Sequence, residues 1–167
     1  MSGPSSTSIP FRIREAEPGD VATLVDFNIA MAAETEHRDL DRELLTAGVR
    51  AVLEDSTRGR YFVAAEEGTR RIVGALLVTY EWSDWRNGVF WWIQSAYVLV
   101  AERRRGVFRA LYRFLVHRAR SSRNVCGLRL YVEQENERAQ AVYQTLGMIR
   151  SPYRMFEVDF VFGQGGH

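Results

Sequence analysis

An arginine-rich turn is the part of the sequence whose residue types most clearly suggest chemistry. Arg103, Arg104 and Arg105 precede Gly106, where an amphipathic helix is predicted to begin. The first backbone N–H groups of a helix lack intrahelical acceptors, and together with the arginines they would bind a polyanion such as a pyrophosphate. The same residues also fit a solvated basic turn before an ordinary surface helix.

A second pair of side chains lies on a predicted helix further along the chain. Asn136 and Tyr143 are about two helical turns apart and therefore share one face of that helix. Both could contact a ligand from that face. A purely structural interpretation is equally simple, with Asn136 as the N-cap of the helix and Tyr143 as part of the core.

The hydrophobic pattern predicts the elements that would position these residues. An almost uncharged strand over 89–100 leads into the arginine turn, and the helix that follows runs to about residue 120. Its apolar stripe contains Val107, Leu111 and Leu115. A strand over 128–132 then leads to a helix over 136–146, which Gly147 ends. The candidate residues therefore lie where strands end and helices begin.

The other predicted elements give a mixed α/β order. We predict a strand at 11–14, a helix with Asp20 as its N-cap, and a second helix at about 41–54. Strands at 61–65 and 71–80 form a hairpin, and two short strands, about 149–150 and 153–160, follow the last helix. Residues 1–8 are interpreted as a disordered leader, 9–162 as a single domain and 163–167 as a flexible tail.

The composition excludes several classes of function. The chain has 22 basic and 21 acidic side chains, so its bulk charge implies no nucleic-acid partner. Every basic side chain is arginine, which excludes a lysine Schiff base and a P-loop lysine. The single cysteine, Cys126, has apolar neighbours, is interpreted as a core residue, and fits a reducing cytoplasm. No apolar run reaches membrane-spanning length, and the dispersed histidines predict no metal site.

Two motifs resemble those of a known superfamily. The run Val98-x-Val100-x-x-Arg103-x-x-Gly106 resembles the acetyl-CoA-binding signature V-x-P-x-x-(R/Q)-x-x-G-x-(G/A) of the GCN5-related N-acetyltransferases, or GNAT superfamily. Val100 replaces the usual proline, and Phe108 replaces the usual glycine or alanine. The run from Asn136 to Met148 is similar to the superfamily's N-x-x-A-x-x-x-Y-x-x-x-G-F element, with methionine in place of the final aromatic residue.

The resemblance implies an α/β (α+β) fold with a central, mixed and mostly antiparallel sheet of about seven strands, flanked by about four helices. One parallel pair of strands splays apart, and acetyl-CoA lies in the gap. Tyr143 would be the catalytic proton donor to the thiolate, which its phenol can protonate. The residues that would contact the cofactor are Tyr97, Val98, Val100, Arg103, Arg104, Arg105, Gly106, Val107, Phe108, Asn136 and Tyr143.

The resemblance does not extend to a general base. Many members of the superfamily supply a glutamate from the strand segment that reads Trp91-Trp-Ile-Gln94 here, and this segment contains none. The remaining acidic candidates on the acceptor side are Glu34, Glu36 and Glu81, each of which also fits a solvated surface position. Gln94 could orient an amine or a water molecule but cannot accept its proton. We assign no base from the sequence.

These observations predict a cytoplasmic N-acetyltransferase. It would transfer the acetyl group of acetyl-CoA to a primary amine of a small molecule or peptide, by direct attack in a ternary complex and without a metal. A non-catalytic acyl-CoA-binding sensor or partner domain with the same fold is the alternative, because the strand glutamate is missing. Members of the superfamily often form dimers, so the resemblance allows a homodimer, but the sequence does not determine the oligomeric state. The first two helices and the loop at 81–88 would set the acceptor.

Overall fold

The structure is a computed structural model that describes residues 11–161. It contains five strands and four α-helices, and two short 3-10 turns precede α1 and α3, at Pro18–Asp20 and Val100–Glu102. The predicted leader, 1–8, and the predicted tail, 163–167, lie outside the described residues. In chain order the elements are β1 Phe11–Glu15, α1 Val21–Thr35, α2 Arg42–Glu54, β2 Arg60–Glu66, β3 Ile72–Ser83, β4 Gly88–Val98, α3 Val107–Arg120, β5 Val125–Arg129 and α4 Glu137–Thr145.

All five strands form one sheet in the order β1-β2-β3-β4-β5. The first three pairs are antiparallel, whereas β4 and β5 are parallel. The predicted mixed, mostly antiparallel sheet with one parallel pair is therefore confirmed. β5 begins and ends three residues earlier than predicted, because its ladder with β4 starts at Val89↔Val125 and stops at Trp92↔Arg129.

The two strands predicted after the last helix are wrong. Residues 149–150 and 153–160 form no strand, and Ile149, Phe156 and Phe160 are each more than nine-tenths exposed. The alternation of apolar and charged side chains in this segment is typical of a half-buried strand. Alternation alone does not form a strand, because the backbone also needs a neighbouring edge to receive its hydrogen bonds.

The chain divides into two compact units at the bond between Tyr131 and Val132. Within the described residues, the first unit contains the whole sheet with α1, α2 and α3, and the second contains α4.

Both faces of the sheet in the first unit are covered by helices. On one face, Leu24 and Phe27 of α1 and Val49 of α2 pack in a cluster that includes Tyr61 and Val63 of β2. On the other face α3 contributes Leu111 and Leu115, which are fully buried, and the ring of Phe114 contacts Phe62 at 5.5 Å between centroids. Successive β2 side chains thus serve opposite faces, as the period of a strand requires.

Asp20 occupies the predicted N-cap position of α1 but does not act as a cap. Its carboxylate accepts two hydrogen bonds from the guanidinium of Arg14, at 2.7 and 3.0 Å, and one from the backbone N–H of Glu17, at 2.7 Å. Asp20 is buried, with 8% of its surface exposed. It therefore ties β1 to the turn before α1.

Cys126 is exposed, so its interpretation as a core residue is wrong. It lies on β5, at one end of the sheet order, where one edge of the strand has no partner among residues 11–161. Apolar sequence neighbours do not reveal which strand is outermost. None of the helices in the described part of the chain is long and apolar enough to cross a membrane.

Candidate active site

β4 and β5 separate at the point where the predicted cofactor site begins. Their pairing ends at Trp92↔Arg129, whereas β4 continues to Val98 along its other partner, β3. A bulge accompanies the separation, because Val78 pairs with Ile93 and Leu77 with Ser95, which leaves Gln94 as the extra residue. The segment 93–98 of β4 therefore has no partner from β5 on its outer edge.

The outer edge of β4 presents backbone acceptors. The N–H of Leu99 donates to the carbonyl of Val73 on β3, at 3.0 Å. In a planar trans peptide the carbonyl of one residue points opposite to the N–H of the next, so the carbonyl of Val98 points away from β3. This is the group that an amide-containing ligand in the gap could use.

A sharp turn joins this edge to the start of α3. Arg104 and Gly106 both have positive φ angles, 67° and 84°, and α3 begins at the next residue, Val107. Gly106 takes the N-cap position without a side-chain cap, and a Cβ built there would meet no heavy atom within 4 Å. The first N–H groups of α3 have no intrahelical acceptor and begin at a glycine with no side chain above it, as expected for an anion site.

Two of the three arginines in the turn are bound to carboxylates within the first unit. Arg103 donates to Glu34 Oε2 at 2.7 Å and to the carbonyl of Val98 at 3.0 Å. Arg105 forms an ion pair with Glu102, which is only 5% exposed. Arg104 is exposed, and no residue within 11–161 hydrogen-bonds or ion-pairs with its side chain. The cofactor contacts predicted for the three arginines stay predictions, and Arg104 is the one whose side chain is exposed without an ion pair to a described residue.

The buried carboxylate of Glu102 links the arginine turn to a neighbouring part of the sheet. Besides pairing with Arg105, Glu102 accepts a hydrogen bond at 2.6 Å from Arg71, the residue just before β3. Arg71 also forms an ion pair with Glu66, at 2.8 Å. These carboxylates raise the pKa of Arg71, with Glu66 the larger cause. The network joins the arginine turn to the β2–β3 hairpin. It was not predicted, because nothing in the sequence distinguishes Glu102 from an exposed carboxylate.

Glu34 and Tyr97 meet at the end of α1. The hydroxyl of Tyr97 donates to Glu34 Oε1 at 3.0 Å, and the Arg103 guanidinium lies 5.5 Å from the centroid of the Tyr97 ring. Burial, and then the hydrogen bond to Glu34, raise the pKa of Tyr97, so the phenol stays protonated at neutral pH. Of the acidic candidates near α1, Glu34 reaches the site, whereas Glu36 is exposed and binds no side chain within the described range.

A small cleft opens beside this cluster, between α1 and the sheet. One of its walls is polar: the amide of Asn28 donates to the hydroxyl of Tyr61 at 3.3 Å. Burial raises the pKa of Tyr61. Asn28 and Tyr61 were not predicted, since both resemble ordinary core positions in the sequence. The cleft is lined by Leu24, Phe27, Asn28, Met31, Tyr61, Ala75, Ser95 and Tyr97.

Glu81 and Gln94 lie where β4 and β5 begin to separate. Glu81 accepts from the indole N–H of Trp92 at 2.5 Å and forms an ion pair with Arg129. Gln94 accepts from Thr79 at 3.1 Å and donates to the hydroxyl of Tyr131 at 2.9 Å. Glu81 is therefore held by two partners, and the Gln94–Tyr131 hydrogen bond spans the two strands just beyond their last paired residues.

Phe108, which replaces the glycine or alanine of the motif, contacts another aromatic residue of α3. Its ring packs against Tyr112, one turn further along the helix, with 6.3 Å between centroids. Val107, which precedes it, is fully buried against the sheet. The replacement of glycine or alanine by phenylalanine is thus accommodated along α3.

In the second unit, α4 confirms the predicted helix. Asn136 is its N-cap, and the side-chain oxygen accepts from the N–H of Ala139 at 3.0 Å. Gly147, with a φ of 88°, follows the end of the helix as predicted. Tyr143 is half-buried, and burial raises the pKa of its phenol. The cofactor contacts predicted for Asn136 and Tyr143 stay predictions.

Comparisons with known proteins agree with this architecture. The family model described as the acetyltransferase (GNAT) family matches residues 27–148. A possible acetyltransferase from Clostridium difficile 630 is 42% identical, with a TM-score of 0.84, over 90% of this chain and 98% of its own. No curated protein matches the chain.

Two more distant solved structures share the fold. A transcriptional regulator from Bacillus halodurans C-125 is 21% identical with a TM-score of 0.75, over 90% of this chain and 99% of its own. The aminoglycoside N-acetyltransferase AAC(6')-Iy, solved in complex with CoA, is 16% identical with a TM-score of 0.73, over 90% of this chain and 95% of its own. The family match and the splayed parallel pair lead to one conclusion: this chain belongs to the acetyltransferase (GNAT) family.

Proposed function

We propose that this protein is an N-acetyltransferase that transfers the acetyl group of acetyl-CoA to a primary amine of a small molecule or peptide. The observation that carries the proposal is the outer edge of β4 beyond Trp92, which no strand within residues 11–161 pairs and which leads through the arginine turn to the glycine-capped start of α3. When bound, acetyl-CoA supplies an acetyl group already activated as a thioester.

The residues present fit this cofactor. An arm containing amides needs extended backbone with hydrogen-bonding groups on its outer edge. The end of β4 provides the outward carbonyl of Val98, which accepts from Arg103 in the free protein and has a second lone pair. A pyrophosphate needs several N–H donors, and the first N–H groups of α3 have no intrahelical acceptor, beside a glycine whose Cβ position is open. Arg104 supplies the exposed positive charge, and Arg103 and Arg105 are paired with Glu34 and Glu102 in the free protein. By the resemblance, Asn136 and Tyr143 complete the cofactor contacts.

The remaining residues have distinct roles in the proposed reaction, a direct attack by the amine. Tyr143 is the proposed proton donor to the leaving sulfur, and its raised pKa keeps the phenol protonated at neutral pH. Backbone N–H groups on the outer edge of β4 would stabilise charge on the carbonyl oxygen. Glu34 and Glu81 are the proposed carboxylates of the acceptor side, and Gln94 would orient a bound group there; their hydrogen bonds to Tyr97, Trp92 and Tyr131 support the proposal.

Calorimetric titration with acetyl-CoA tests the proposal directly. Gly106→Glu places an anion in the proposed phosphate site and should abolish binding, while circular dichroism shows that the fold survives. Gly68→Glu is the matched control, because Gly68 also has a positive φ, 89°, and open space around its Cβ position. We expect Gly68→Glu to bind acetyl-CoA like the wild type. No heat of binding with the wild type would refute the proposal.

One observation favours a second candidate function, a non-catalytic acyl-CoA sensor or partner domain. Both carboxylates near the acceptor side, Glu34 and Glu81, are already paired with arginines, and β4 supplies no glutamate. A sensor would bind acetyl-CoA without releasing free thiol when amines are added. Amine-dependent thiol release would establish the enzyme instead.

A further inference from the structure

Glu34 holds a cation in a setting that resembles a binding site more than a surface ion pair. One carboxylate oxygen accepts from the Tyr97 hydroxyl at 3.0 Å, and the other accepts from a guanidinium nitrogen at 2.7 Å. That guanidinium also lies 5.5 Å from the centre of the Tyr97 ring. A carboxylate beside an aromatic ring is the arrangement that proteins use to bind organic cations.

The cation in this setting belongs to the arginine turn itself. Arg103 comes from the phosphate-binding motif, yet its guanidinium points to Glu34, a residue distant in sequence at the end of α1. Its Nε also donates to the carbonyl of Val98, at 3.0 Å, which is the outward acceptor on β4. Arg103 therefore donates both to the Val98 carbonyl, which the cofactor's arm would use, and to the Glu34 carboxylate, which belongs to the proposed acceptor side.

The residues around the Glu34–Tyr97 pair indicate which other cation could bind there. Tyr97 belongs at once to this pair and to the lining of the cleft, together with Phe27 and Met31. The ring of Phe27 packs on Tyr97 at 5.1 Å between centroids, which fixes the ring against the cleft. A small apolar group in the cleft would place an attached ammonium beside Glu34.

We propose that Glu34 and Tyr97 form the binding site for the ammonium group of the acceptor, which Arg103 fills in the free protein and vacates when the cofactor binds. Arg103 then turns to the phosphates. The acceptor class is a primary alkylamine whose carbon chain contacts the cleft. The inference rests on the proposed function, because it needs a polyanion to attract Arg103.

The first test is a mutant cycle read by calorimetry with CoA. Glu34→Gln removes the competitor for Arg103, so CoA should bind about fivefold more tightly, the factor expected for a half-exposed ion pair. The gain should vanish in an Arg103→Met background, where no guanidinium is left to release. Asp39→Asn, which removes an equal charge from an exposed residue nearby, should leave CoA affinity unchanged.

The results separate this inference from the proposed function. If the wild type does not bind CoA, the proposed function fails. Two other results refute only the exchange of Arg103. In one, the wild type binds CoA but Glu34→Gln binds it no more tightly. In the other, Glu34→Gln tightens CoA binding equally in the Arg103→Met background.

The second test measures the ammonium site itself. With CoA saturating, propylammonium chloride should raise the melting temperature above that in potassium chloride of equal ionic strength. Glu34→Gln should abolish this increment, and Asp39→Asn should retain it. An increment of the same size in Glu34→Gln, or none in the wild type, would overturn the assignment of the ammonium site.

Discussion

At the scale of single residues, the contacts that matter most join positions far apart in the sequence. The motif predicts Arg103 as a cofactor contact, but it does not predict that the guanidinium binds Glu34 or that Arg71 binds the buried Glu102. Charge counts cannot predict such pairs, because any of the acidic side chains could have been the partner. Only the packing of α1 against the sheet selects Glu34.

Asp20 provides a prediction at the same scale. Asp20→Asn keeps the shape of the side chain but removes the charge that Arg14 and the N–H of Glu17 bind, so we expect a loss of about 2–3 kcal/mol in the free energy of unfolding. Urea denaturation measures it. Asp26→Asn is the control, because the Asp26–Arg42 pair is well exposed and should contribute less than about 1 kcal/mol.

The same carboxylate predicts a dependence of stability on pH. Burial alone would raise the pKa of Asp20, but the hydrogen bonds from Arg14 and Glu17 outweigh it and hold the pKa below the ordinary 3.8. A lowered pKa in the folded state means that this contribution is present above pH 3.8 and is lost as pH falls through the lower value. Asp20→Asn should therefore flatten the acid limb of the stability curve, and an unchanged limb would contradict this account.

At the scale of elements, the sequence predicts strongly patterned segments well and the final strands poorly. β4 and α3 were recognisable because an uncharged strand meets an amphipathic helix at a glycine. The segment 153–160 has the right alternation, yet it forms no strand, because its pairing depends on a neighbour that its own residues do not specify.

The junction of β3 and α3 gives a prediction at this scale. A Cβ at Gly74 would lie 2.8 Å from Cγ1 of the buried Val107, so Gly74→Ala should cost about 1–3 kcal/mol by overpacking. Gly48→Ala, in α2, meets no atom and should be neutral or stabilise the protein by up to about 1 kcal/mol. Urea denaturation of both variants measures the contrast, and equal stability would show that α3 does not approach β3 this closely in solution.

At the scale of the whole molecule, acidic and basic side chains are nearly equal in number, but arginine is used to the exclusion of lysine. The 22 lysine and arginine positions are all arginine, so the charge that they carry is constant over any pH at which the protein folds, and no internal lysine competes with an added acceptor. The family and the architecture of the sheet could be predicted from two motifs. The ion pairs that surround them could not, because they depend on how the helices cover both faces.

The exposed position of Cys126 has a practical consequence for any study of this molecule. The chain carries one thiol, on the outermost strand, and the proposed reaction also releases a thiol. A chromogenic disulfide reagent should therefore react with one equivalent per chain before any turnover, and Cys126→Ser should remove that initial burst. Reaction only after unfolding would contradict the exposure of Cys126. The same residue offers a single attachment point for a fluorescent dye, placed on the strand that diverges from β4.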